Sequence, residues 1–108
     1  MASRQLSHFL RWLEGTLASE SLVAFADSQL LERFLNSRDD AAFRVLVSRH
    51  GPMVYRVCRR VLPDEQDTED AFQAVFLIFI RKAGTIRKRM SLASWLHGVA
   101  YQIGRAHV

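Results

Sequence analysis

The sequence predicts an all-α fold, and three observations carry that expectation. Only two prolines and five glycines occur in 108 residues, no stretch alternates apolar and polar residues for long, and apolar residues recur at three- and four-residue spacing almost throughout. The chain is 49% hydrophobic, enough for one packed core and too short for two domains. Leu6, Phe9, Leu10, Leu13 and Leu17 follow Ser3, a suitable N-cap, and form an amphipathic helix over roughly residues 4 to 18. Asp27 is placed to cap a short helix carrying Leu30, Leu31, Phe34 and Leu35, and Asn36 to Asp39 reads as a turn whose acidic end caps the next helix. That third helix carries Phe43, Leu46 and Val47. Gly51-Pro52 should interrupt it, and the period resumes at once with Met53, Val54, Val57, Cys58, Val61 and Leu62, giving a kink or tight break and two packed arms. Pro63 to Asp67 is a loop and helix start, with Asp64, Glu65, Asp67, Glu69 and Asp70 near the unsatisfied N–H groups of the first turn. Ala71 to Ile80 is apolar nearly all round apart from Gln73, the pattern of a central helix packed on several neighbours. Ala83-Gly84-Thr85 ends it, Ile86 to Met90 forms a basic loop, and Ser91 caps a last helix with Leu92, Trp95, Leu96, Val99 and Ile103 turned inward.

Several function classes are set aside by composition. The apolar run Val75 to Ile80 ends at Arg81 and Lys82, far short of the roughly 20 residues that span a bilayer, so no stable membrane insertion is expected. His8, Arg11 and Glu14 interrupt the only hydrophobic stretch near the N-terminus, which argues against a secretory signal and for a cytoplasmic protein. One cysteine, Cys58, makes no internal disulfide, and the four histidines lack zinc-ligand spacing, so no metal or other cofactor is expected. Catalysis is disfavoured too. The carboxylates at 64 to 70 serve better as helix caps, and no nucleophile elbow, phosphate-cradling glycine loop or paired metal histidines occur. The last helix runs into the C-terminus without a stop signal, which predicts that the natural protein continues.

Charge points to a partner. The net charge is +4, yet residues 1–80 hold nine Lys/Arg against eleven Asp/Glu, whereas residues 81–108 hold six Lys/Arg and no carboxylate. So one-sided a segment suggests a polyanion, since a merely solvated face mixes both signs. Arg87, Lys88 and Arg89 lie in a loop between Ile86 and Met90, where their charges reach phosphates while the apolar neighbours hold the loop to the domain. On the last helix Ser94, His97, Tyr101 and Arg105 share a face, with Gln102 beside it. That mixture of stacking, hydrogen-bonding and cationic groups suits single-stranded nucleic acid. Trp95 falls in the apolar period and is assigned to the core.

From Ser28 to His107, about three-quarters of the chain, the sequence resembles region 2 of the bacterial RNA polymerase sigma factors of the sigma-70 family, in the extracytoplasmic-function (ECF) subfamily. The matching text is LLERFLNSRDDAAFRVLVSRHGPMVYRVCRRVL, then DTEDAFQAVFLIFIRKA, then SLASWLHGVAYQIGRAH. The Asp-x-x-Gln spacing at Asp70 and Gln73 and the Ser-Trp-Leu near the last helix start weigh most, and the fuller wording is similar to planctomycete-type sigma factors. The resemblance implies a compact helical bundle over residues 27–108, with residues 1–26 as an N-terminal helical extension, and no counterpart of the family's fourth region in this chain. It implies a non-enzymatic module that binds the β′ clamp helices of core RNA polymerase and recognises the non-template single strand of the promoter minus-ten element, near the nucleoid. An anti-sigma factor would be a further partner. By the resemblance the polymerase face comprises Asp67, Glu69, Asp70, Gln73 and Leu77. The DNA face comprises Thr85, Arg87, Lys88, Arg89, Ser91, Ser94, His97, Tyr101, Gln102 and Arg105, in and after the loop that captures a flipped base. Ala74 stands where relatives commonly carry an acidic residue. The competing reading is a helical interaction domain that keeps this fold and binds a regulator instead of DNA.

Overall fold

Local chemistry sets most of the helix starts. A computed structural model describes residues 22–87 and 91–107, and these carry four α-helices: α1 (Asp27–Ser37), α2 (Asp40–Val61), α3 (Glu65–Lys82) and α4 (Leu92–His107). The helix expected over residues 4 to 18 lies outside the described residues. Asp39 caps α2 by accepting from Ala41 N (3.0 Å) and Ala42 N (3.3 Å). Asp64 caps α3 in the same way through Gln66 N (2.7 Å) and Asp67 N (3.2 Å), and Ser91 Oγ accepts from Ser94 N at 3.1 Å before α4. A single turn of 3-10 helix, Ala83–Thr85, closes α3.

Two expectations are corrected here. Asp27 is not a cap: it is the first residue of α1, and Ala26 holds the N-cap position with its N–H donated to Gln29 Oε1 (2.9 Å). The Asp27 carboxylate turns onto α2, accepting from Arg49 Nη1 and His50 Nε2, each at 2.7 Å. With Arg49 both donor and acceptor are charged, whereas a cap bond is charged on the carboxylate alone, so the side chain goes where the cation is. Arg49 also donates to Val23 O at 2.9 Å, and Leu22 is 6% exposed in the common core. The packed unit therefore reaches upstream of residue 27.

The second correction concerns Gly51-Pro52, which does not divide the third helix. α2 is continuous for 22 residues with Pro52 inside it. Proline removes an N–H and crowds the residue before it. Both penalties are relieved here. Ser48, whose carbonyl loses its helical donor, is exposed to water, and Gly51 has no Cβ to meet the proline ring. Gly51 is buried instead, where an added Cβ would stand 3.6 Å from the Phe72 ring.

The core gathers on α3. Ala71, Phe72, Val75, Phe76 and Phe79 are buried along one side of it, as its composition predicted. Phe79 is 0% exposed and meets an aromatic ring from each other helix: Phe34 of α1 at 6.3 Å between centroids, Phe43 of α2 at 5.9 Å, and Trp95 of α4 at 6.0 Å. Trp95 is half-buried and packed against the core, in keeping with its assignment. On the far side α4 lies close against α2, with Gly104 so near that a Cβ there would come within 3.2 Å of the Val61 Cβ. α3 is nevertheless not covered all round, since Leu77 is 60% and Ile80 38% exposed.

Phe79→Ala is expected to cost about 3–5 kcal/mol, a large part of a domain's typical stability, and urea unfolding followed by circular dichroism measures it. Burial pushes the Cys58 thiol up to about 11. The unfolded thiol ionises from about 9 upward while the folded one stays protonated, so its contribution holds below that pH and fades as pH rises toward 11. The stability difference between wild type and Cys58→Ala should therefore shift against the wild type across this window, read from unfolding curves at stepped pH.

Candidate protein and nucleic-acid interfaces

Two surfaces emerge, one on α3 and one around the start of α4. Because helix positions advance by 100° each, the inward placement of Phe72, Val75, Phe76 and Phe79 forces Asp70, Gln73, Leu77 and Ile80 into one outward stripe. Asp70 is exposed, Gln73 half-buried and Leu77 largely open. Gln66 Nε2 donates to Asp70 Oδ1 at 3.0 Å, steadying the upper end of the stripe. Asp67 lies at its margin, half-buried. Glu69 does not belong with them: although it precedes Gln73 by one helical turn, the packing around the start of α3 leaves it 1% exposed, and it offers no surface to a partner. An exposed Leu-Ile pair flanked by a carboxylate and an amide has the composition of an interaction surface, since an apolar centre gains from burial and a polar edge sets register.

On the second surface Ser94, His97, Tyr101, Gln102 and Arg105 are all exposed along α4, as the sequence spacing predicted. The Arg105 guanidinium lies 5.7 Å from the Tyr101 ring centroid, a cation–π pair that presents charge and a stacking plane together. Arg87 is exposed at the end of the 3-10 turn. Lys88 and Arg89 lie outside the described residues. Two of the hydroxyls assigned to this face are already engaged: Thr85 Oγ1 donates to Lys82 O at 2.7 Å and Ser91 Oγ caps α4. They shape the loop ends more than they offer themselves to a ligand.

Sequence reasoning gave α1 no part in either surface. A groove of about 830 Å³ runs between α1, the 3-10 turn and the first residues of α4, so that Ser28, Leu31, Glu32, Leu35 and Asn36 share it with Arg87 and Ser91. The available signal was the width of the apolar stripe on α1. Leu30 and Phe34 fill the core, yet Leu31 and Leu35 follow them at the same spacing, and Leu35 is left 41% exposed. Gly84 approaches α1 here, an added Cβ standing 3.9 Å from Leu35 Cδ2. Among the described residues no cluster of His, Cys, Asp or Glu has the arrangement of a metal site, and no helix is long and apolar enough to cross a membrane.

The description Sigma-70 region 2 matches residues 46–103, more than half of the chain. The chain belongs to the sigma-70 family. Its curated relatives include the ECF RNA polymerase sigma factor SigM of Mycobacterium tuberculosis, 32% identical over 74 residues, which cover 68% of this chain and 37% of that protein. The RNA polymerase sigma-H factor of Pseudomonas aeruginosa is 28% identical over 82 residues, 76% of this chain and 42% of its own. The chain thus spans about two-fifths of the length of these sigma factors. No solved structure matches it. Sigma factors are transcription-initiation factors and not enzymes, in keeping with a helical region 2 whose notable features are surfaces.

Leu77→Gln should leave stability within about 0.5 kcal/mol of wild type, because the side chain is already in water. Phe76→Gln, one residue away on the buried side, should lower the urea midpoint by an amount equivalent to several kcal/mol. Equal effects of the two would overturn the assignment of the outward stripe.

Proposed function

We propose that the chain is the core-binding and promoter-opening module of an ECF sigma factor. The α3 stripe of Asp70, Gln73 and Leu77, with Asp67 at its margin, docks on the β′ clamp helices of core RNA polymerase. Arg87 and the outer face of α4 hold the non-template strand of the minus-ten element once it is single-stranded, and the neighbouring groove accepts an unstacked base. The observation that carries the reading is that two sets of exposed side chains lie on different elements, one on α3 and one on the loop and α4, which gives one domain a surface for each partner. Family membership supports core RNA polymerase and promoter DNA as the two partners.

The mechanism is binding without bond chemistry. Unstacking a base costs a few kcal/mol, and stacking on Tyr101 or between the apolar walls of the groove returns roughly 1–3 kcal/mol per base. Arg87 and Arg105 add charge contacts to the backbone. The domain thereby favours melted DNA over duplex, and polymerase performs the catalysis. An anti-sigma factor would act by covering either surface. A second reading, a regulator-binding domain that has given up DNA, draws on the exposed Leu77 and Ile80, which suit any helical partner. Glu69, buried, is left out of both.

Calorimetric titration of the full chain into the isolated β′ clamp helices should show saturable binding that Asp70→Arg with Gln73→Ala abolishes while the variant stays folded. Absence of binding by the wild type would favour the regulator reading. Affinity for single-stranded DNA should fall steeply with salt, with a log–log slope near −3 if about four phosphates are neutralised. Arg87→Ala with Arg105→Ala should make that slope shallower by about one to one and a half.

A further inference from the structure

We infer that α1 reads the base captured in the groove, that the groove selects a base bearing an exocyclic amine, and that Glu32 is the residue that makes the selection. The inference rests on the DNA-binding reading and extends it to a wall of the site that the sequence did not reveal. The groove, at about 830 Å³, is within the range of roughly 300–1,000 Å³ that encloses small ligands, and a single nucleotide fits. Its lining is divided by chemistry. Leu31 and Leu35 on α1 and Ile86 and Leu92 around the loop provide apolar surface for the flat face of a base.

Beside the leucines, Ser28, Glu32 and Asn36 repeat every fourth residue, a polar row along α1 with about 6 Å between successive positions. That spacing matches the edge of a base lying along the helix. Arg87 shares the groove with this row and attracts the phosphate, while Glu32 repels it. Opposed charges orient a nucleotide: backbone toward Arg87, base edge toward α1.

Glu32 then decides which edge is accepted. An ionised carboxylate only accepts hydrogen bonds, and no described residue bonds to it. The other carboxylate of the groove, Asp27, already accepts from Arg49 and His50. A base edge beside Glu32 must therefore donate, as the N4 amine of cytosine or the N6 amine of adenine does. A carbonyl in that place, as in thymine or uracil, sets lone pair against lone pair.

The test uses the full 108-residue chain and two labelled oligothymidylates that differ at one central position, deoxycytidine in one and deoxyuridine in the other. The pair differs by an amine against a carbonyl. Fluorescence anisotropy should show the cytidine probe bound about ten-fold more tightly by wild type, the size expected of a specific base-edge contact. Glu32→Gln, an exposed substitution whose fold circular dichroism verifies, should reduce the preference to within about two-fold, since an amide both donates and accepts. Arg87→Ala should weaken both probes alike. Equal binding of the two probes by wild type, or a preference that survives Glu32→Gln, overturns the role of Glu32 and leaves the DNA-binding reading standing. If wild type binds neither probe, the DNA-binding reading fails and takes this inference with it.

Discussion

Phe79 is the constraint on which the rest of this structure depends. Its ring is wholly buried and meets an aromatic ring from each of the other three helices. Aromatic side chains bury large areas and prefer tilted or offset contacts, so one such junction sets both the distances and the orientations of four helices. Phe43 and Phe34, 5.2 Å apart between centroids, and Phe76, 6.5 Å from Phe79, extend the junction into a continuous aromatic layer. Once α3 is held by that layer its rotation about its own axis is set, and the outward direction of Asp70, Gln73 and Leu77 follows without any further interaction. The outward stripe of α3 is in this sense the reverse side of the core.

The second candidate surface depends on a different kind of bond. Its groove has one wall on α1, and α1 is held at its N-terminus by Asp27, which bridges Arg49 and His50 on neighbouring positions of α2. Arg49 is tied in turn to Val23 O. His50 is only 8% exposed, so this polar clamp sits at the edge of the core, where charge-assisted bonds are less weakened by water than they would be in the open. Lower down, Leu30 and Phe34 pack α1 onto the core and leave Leu31 and Leu35 for the groove. An apolar stripe too wide for its core is the structural source of the candidate base-binding surface.

Legibility followed the range of the interaction. Asp39, Asp64 and Ser91 were read correctly as caps because a cap bonds to backbone two or three residues away, and nothing distant competes for it. Asp27 was misread by the same logic, because its partners lie 22 and 23 residues further along the chain. Gly51-Pro52 was read as a kink or tight break from the usual cost of proline, and the break does not occur. The exposure of Ser48 and the Phe72 ring packed near Gly51 decide otherwise, and neither is a local property. Glu69 and Asp70 are adjacent and alike in charge, yet once α3 is docked the first is buried and the second exposed. The outer face of α4 was legible because Ser94, His97, Tyr101 and Arg105 stand opposite an unambiguous apolar period.

The sequence by itself determined the helical class, the main caps, the apolar face of each helix, the basic C-terminal quarter and the family. These are properties of residue type at short separation, or of pattern along one helix. Tertiary structure alone decided which side of the apolar α3 stays open, that Glu69 is withdrawn from the surface, that α2 runs through its proline, and that α1 lies beside the loop to form a groove. Each of those is settled by contacts between segments far apart in the chain, where the geometry of packing, and not the preference of any one residue, selects the outcome.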